Sequence, residues 1–203
     1  LIKQDLTAFL NLAPNLPSLY DSVGKLKWNE NGGNFFNPYS ILLQQYNGTT
    51  DRFTSNTAIS YAILPKLLLK ANVGYNHIDL TEYSNIPLAS QDPAFAIATA
   101  NFGKSSSKTW IAEPQIEFRP SIGSKNSLLI MVGSSWQSNT NNSSLTDATG
   151  YPNDNTLGST TGASVIRTVV NSGKYKYSGI FTRISYNREA KYLLNITARR
   201  DGS

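Results

Sequence analysis

The sequence predicts an all-β chain, an antiparallel meander of about six long strands arranged as three hairpins. Three observations lead there. Hydropathy alternates with a period of two over six separate stretches. Short turns and long connections alternate strictly between those stretches. Ser, Thr and Asn supply 62 of the 203 residues, while charged residues make up 15%, well under the ~25% of an ordinary soluble domain.

Residues 1–50 read as loop with a short helix. Asp5 can cap a helix over 5–12, where Leu6, Phe9, Leu10 and Leu12 fall near helical spacing. Pro14 and Pro17 stop it. Asn29 to Asn34 and Asn37-Pro38 are turn signals, with a second helical turn expected at 38–45. From Asp51 the period becomes two, and strands are predicted at 52–64 and 66–76 around Leu64-Pro65-Lys66. Phe53, Ile59, Tyr61, Ile63, Leu67, Leu69, Val73 and Tyr75 then share one face. A long loop is expected from Asn76 to Ser107. Strands follow at 109–120 and 127–138, with Trp110, Ile116, Phe118, Ile130, Val132 and Trp136 on the apolar face and a turn at Pro120–Ser127. Pro114 weakens its strand locally, since it cannot donate to a ladder. A second long loop is expected from Ser138 to Gly173. The last hairpin, 176–187 and 191–200, puts Ile180, Ile184, Tyr186, Tyr192, Leu194 and Ile196 on one face.

These strands are longer than the ~5–6 residues usual in globular proteins. One face is apolar and the other small and polar. Tyr61, Tyr75, Trp110, Trp136, Tyr186 and Tyr192 fall near the predicted strand ends on the apolar face. A transmembrane β-barrel needs this arrangement, with lipid on one face, a polar lumen on the other and aromatic girdles at the interfaces. The alternative is a β-sandwich that buries the same face as its core.

The net charge of +5 is mild and scattered, so no basic stripe points to nucleic acid. With no cysteine, disulfides, thiolate metal sites and Cys nucleophiles are excluded. No stretch is long and apolar enough for a transmembrane helix, and residues 1–20 do not read as a signal peptide. His77, the one histidine, lies in His77-Ile-Asp79 just past a predicted strand end; without a nucleophile elbow it reads as an exposed loop residue. Glu113 and Glu117 share a strand face with Arg119 and read as a lumen charge ladder rather than a glycosidase pair. Asp147 and Asp154 lack the spacing of a calcium loop. The sequons at Asn47, Asn142 and Asn195 are weak signals, and the last of them lies inside a predicted strand. No catalytic, metal or cofactor residue is assigned, no enzyme activity or cofactor is expected, and no ligand-binding residue is singled out. Trp28, Tyr83 and Tyr151 are loop aromatics able to stack on sugar rings or simply to pack.

Two runs resemble a known family. They are Ser178-Gly-Ile-Phe-Thr-Arg-Ile-Ser-Tyr-Asn187 and Lys191-Tyr-Leu-Leu-Asn-Ile-Thr-Ala-Arg-Arg-Asp-Gly-Ser203. Together they are similar to a barrel hairpin signature of the SusC/RagA class of TonB-linked outer-membrane transporters. Ser55 to Pro65, Leu67 to Tyr75 and Lys104 to Trp110 also fit. The resemblance implies a place in the outer membrane of a Gram-negative cell and uptake of oligosaccharides or peptides. It further implies a SusD-like surface lipoprotein as partner and energy from a TonB complex. The family's N-terminal plug is not among these residues, so the 203 residues are expected to be one internal piece of a barrel that has about 22 strands in the family. Taken alone, the piece is expected to cover its apolar face by collapsing into a sandwich or by self-association, burying Ile59, Leu69, Ile130 and Ile184.

Overall fold

The computed structural model describes residues 6–9, 11 and 15–203. Among them are eight strands and four short 3-10 turns. Asn29–Glu30 (β1) and Gly33–Asn34 (β2) form a small hairpin. Its turn is Asn31-Gly32, both in the left-handed region, which is the pairing that a two-residue hairpin loop favours. The main sheet contains Gln45–Leu64 (β3), Leu67–Ile86 (β4), Thr99–Phe118 (β5), Asn126–Thr149 (β6), Val165–Arg188 (β7) and Tyr192–Gly202 (β8). Its spatial order is the chain order, β3-β4-β5-β6-β7-β8. The predicted antiparallel six-stranded meander is therefore what forms. The only other sheet among the described residues is the β1–β2 ribbon, so the sandwich alternative is corrected: no second sheet packs on the first.

At the short turns the predicted and observed strand ends agree within two residues. At the other ends β3 to β7 run seven to eleven residues further than their hydropathy indicated, while β8 ends two residues further. The supposed loops 76–107 and 138–173 are mostly strand, and the true connections are 87–98 and 150–164. The extensions, such as Ser138 to Thr149, are polar on both faces, so nothing alternates. The ladder and cross-strand polar pairs hold them. Thr146 and Thr168 hydroxyls meet at 2.9 Å, and Asn139 donates to the Thr109 hydroxyl at 2.8 Å. As a consequence Tyr75, Trp110 and Trp136 sit in mid-strand, not at strand ends.

Among the described residues, helix is limited to 3-10 turns at Leu6–Phe9, Pro38–Leu43, Leu88–Ser90 and Asp154–Thr156. The first lies within the helix expected at 5–12; Asp5, Leu10 and Leu12 fall outside the described residues. The second is the turn expected at 38–45. Buried Asn37 holds it. Its carboxamide oxygen accepts from Tyr39 N–H at 3.0 Å, and its nitrogen donates to the Leu19 and Lys27 carbonyls at 2.6 and 3.0 Å. Asn37→Ala leaves all three backbone groups unpaired. We expect a loss of about 2 kcal/mol locally, read as roughly 30-fold faster amide exchange at Tyr39.

The chain divides into two compact units. One comprises residues 1–50, 80–105 and 143–171. It contains the apolar core among the described residues, made of Ala98, Ala100, Ala148, Tyr151 and Leu157, with Tyr83, Leu88, Phe102 and Ala163 against it. The other comprises residues 51–79, 106–142 and 172–203. Its large apolar side chains lie at the surface instead. Ile59 is 58% exposed, Leu69 38% and Ile184 37%, and Ile130 is half-buried. The expectation that these four are buried by collapse into a sandwich is corrected: within one chain, a single sheet offers its apolar face nothing to pack against.

The β7–β8 register shows both faces. Ile184 lies opposite Ile196 and Tyr186 opposite Leu194, while Ser185 opposes Asn195 and Phe181 opposes Arg199 on the other face. The turn between these strands places Glu189 and Ala190 at φ 53° and 55°. Alanine is strained there by roughly 1 kcal/mol. Ala190→Gly is therefore expected to raise the denaturant midpoint by about that much stability, without changing the slope.

Candidate functional site

On the polar face of the second unit, charges pair across strands. Glu117, 7% exposed, accepts from Lys70 on β4 at 2.6 Å and from Arg119 at 3.1 Å. Glu113 instead accepts from the Ser135 hydroxyl at 3.3 Å. The two carboxylates serve separate partners, one of them neutralised twice over. A charge ladder is what the structure shows, with no acid and base facing a shared space. Further along this face Arg199 binds Asp201 at 2.8 Å and also the Tyr177 hydroxyl. Its guanidinium lies 5.8 Å from the centre of the Phe181 ring, within cation–π range. Gly133 makes room for that ring, because a Cβ there would fall 2.5 Å from the Phe181 Cζ.

His77 is not in a loop, as its position past a predicted strand end implied, but inside β4. Its Nε2 lies 3.0 Å from Asp79 Oδ2 and 3.4 Å from the Ser106 hydroxyl. Three residue types of a hydrolase therefore converge, yet both partners use the same ring nitrogen. A relay needs the carboxylate on Nδ1 and the nucleophile on Nε2. Ser106 moreover bonds Asp79 directly. The group is a surface polar cluster.

In the first unit, a chain of hydrogen bonds ties the long connections to the strands. Asn85 accepts from Gln45 N–H at 3.0 Å and donates to the Tyr83 hydroxyl at 2.9 Å, which donates to the Leu157 carbonyl at 3.0 Å. Asp154 accepts from Leu88 N–H at 2.6 Å and Ala89 N–H at 3.1 Å, so it caps the 3-10 turn of the other connection. Asp147 lies on β6, and no group of three His, Asp or Glu able to hold a metal occurs among the described residues. Tyr151 is buried, donates to the Ser159 carbonyl at 2.8 Å and has its phenol pKa pushed up by that burial.

Of the three aromatics that the sequence offers for stacking, Tyr83 and Tyr151 are thus structural. Trp28 alone lines an open groove of about 700 Å³, with Tyr20, Tyr39, Leu42, Leu43 and Leu88. Asp21 at its rim accepts from Lys25 N–H at 2.8 Å and Val23 N–H at 2.9 Å; the Lys25 bond leads in holding its carboxyl below the usual range. Sequence reading missed this groove. Its one sequence signal was the apolar cluster Tyr39, Leu42 and Leu43 next to Asn37-Pro38.

Solved structures share the six-stranded arrangement. The chain superposes on the RagAB peptide transporter with a TM-score of 0.71 and 16% identity, over 90% of this chain and 21% of that one. The fold of this chain is like that of one part of the RagAB structure. Structures of the RagAB peptide importer in its open-open and closed-closed states give TM-scores of 0.69 and 0.70 at 17% identity, with the same coverage. This chain thus spans about a fifth of each. No family model and no curated protein matches the sequence.

Proposed function

We propose that this chain is a section of the transmembrane β-barrel of a SusC/RagA-type, TonB-dependent outer-membrane transporter. The observation that carries this is the unpartnered apolar face of a long antiparallel meander that superposes on RagAB over 90% of its length. From Trp110 to Phe118 the face runs about 27 Å along the strand, or about 20 Å in height at the usual tilt, close to the ~25 Å apolar band of such barrels. The aromatics at either end form the two interfacial girdles. The polar face, with Lys70, Glu117, Arg119 and Arg199, lines the lumen. Short turns belong to the periplasmic side and long connections to the outside. No helix among the described residues is long and apolar enough to cross a membrane, which leaves crossing by strands open.

In this reading residues 45–203 supply barrel hairpins and the residues before them an external loop segment. The plug and the TonB contact belong to other parts of the parent protein. Peptides or oligosaccharides are the cargo, a surface lipoprotein is the partner, and no enzymatic step is involved. An isolated chain self-associates, since six strands leave two edges and one apolar face open. The test is uptake of labelled peptide and oligosaccharide mixtures by cells with and without the gene. One class is expected to lose energy-dependent uptake. Unchanged uptake of both, with the protein absent from the outer membrane, contradicts the reading.

A further inference from the structure

The apolar face of the second unit ends in unopposed positive charge. In β5–β8 the acidic residues Glu113, Glu117, Asp147 and Asp201 all occupy odd positions, which strand alternation assigns to the polar face. Lys108, Lys174, Lys176 and Arg200 occupy even positions, with Trp110, Trp136 and Ile180; the register pairs Ile180 with Arg200 directly. Among the described residues no carboxylate pairs with Lys174, Lys176 or Arg200. Neighbouring Asp201 is committed to Arg199 and Tyr177, and Asp79, near Lys108, to His77.

Two depressions meet at this boundary. One, of about 680 Å³, is lined by Trp110, Trp136, Ser138, Lys174, Lys176 and Ser178. The other, of about 690 Å³, is lined by Leu69, Ile116, Val132, Ile180 and Arg200, with Asp201, already bound to Arg199 and Tyr177, at its edge. Trp136 and Ser178 border both. A cationic pocket thus opens onto an apolar trough with an indole at the junction. We propose that this surface binds one anionic, phosphate-bearing membrane lipid. The phosphate sits between Lys174 and Lys176, a chain lies along Leu69, Ile116 and Val132, and Arg200 reaches up from the trough towards the headgroup. Basic clusters at a membrane boundary recognise phosphorylated headgroups in this way, and indoles favour that depth. The trough commits the site to lipid, because a free anion has no use for it. The proposal rests on the lipid-facing reading above.

The test reconstitutes the intact protein carrying this chain in nanodiscs of phosphatidylcholine with a minor share of phosphatidylglycerol. Either lipid is brominated on its chains in turn. Quenching due to Trp136 is taken as the difference from the Trp136→Phe protein. Brominated phosphatidylglycerol is expected to quench Trp136 roughly tenfold more effectively per mole than brominated phosphatidylcholine. The Lys174→Gln/Lys176→Gln/Arg200→Gln variant should lose that preference while still being quenched by both. Excess inorganic phosphate should leave it in place. Equal quenching by the two lipids in the wild type overturns the headgroup site while leaving the lipid-facing reading intact. No quenching by either overturns the lipid-facing reading itself. Loss of the preference on adding phosphate overturns the assignment to lipid in favour of a free anion.

Discussion

Ile130→Arg and Leu194→Arg should each weaken folding of the intact protein into a bilayer by about 2–4 kcal/mol. Both residues fall between the two aromatic girdles. Leu194 lies opposite Tyr186 and is 54% exposed, which in water would make it an ordinary surface position. An arginine there would cost almost nothing in a soluble protein, where exposed substitutions stay within about 0.5 kcal/mol. In a bilayer the guanidinium must leave water or drag water with it. The size of the effect therefore reports the solvent. Arginine at Leu193, one residue away on the other face, provides the control and should cost well under 1 kcal/mol, since lumen positions meet water. Denaturant titration of protein folded into lipid vesicles measures all three.

Gly133→Val should cost about 3 kcal/mol, by a different mechanism. The backbone of Gly133 is ordinary strand and accepts any side chain. The added Cβ, however, would fall 2.5 and 2.7 Å from two atoms of the Phe181 ring and 3.1 Å from the Gln115 Cβ. Overpacking of this kind costs roughly 1–3 kcal/mol, and here the ring also leaves the Arg199 guanidinium. The clash predicts its own rescue. In Gly133→Val/Phe181→Ala the ring is gone, so the pair should be less destabilised than the sum of the single changes by at least about 1 kcal/mol. Simple additivity in urea unfolding would show that the glycine is needed for some other reason.

How far the fold could be read varied along each strand. Between Leu64 and Leu67 or Arg188 and Tyr192, apolar alternation runs up to the turn and Pro65 or Asn187 marks the break, so the ends were visible. The strands continue past Tyr75, Trp110 and Trp136 into Ser, Thr and Asn, where both faces meet water. Hydropathy is silent there, and backbone pairing keeps the strand going. His77 was misplaced for the same reason. Asn37 was recognisable as a turn residue, but its bonds to Leu19 and Lys27 join segments that no local pattern connects. Asp154 read as a plain loop residue because its partners, Leu88 N–H and Ala89 N–H, lie 66 and 65 residues away. The faces were legible because period two is a property of the strand itself. What covers the apolar face was not, since that depends on the medium around the sheet. Treating the medium as water led to the expectation that Ile59, Leu69 and Ile184 are buried.

The medium can be measured directly, and this chain contributes no cysteine of its own to the labelling. Single cysteines placed in turn at 128–136 of the intact protein in bilayers are labelled with a nitroxide. Collision rates are then recorded with oxygen, which concentrates in lipid, and with a water-soluble nickel complex. Even positions, including Ile130, Val132 and Trp136, are predicted to be oxygen-rich, and odd positions, including Leu129, Met131 and Ser135, to be shielded from lipid. A profile without period two, or nickel access dominating at the even positions, would contradict a lipid-facing barrel wall.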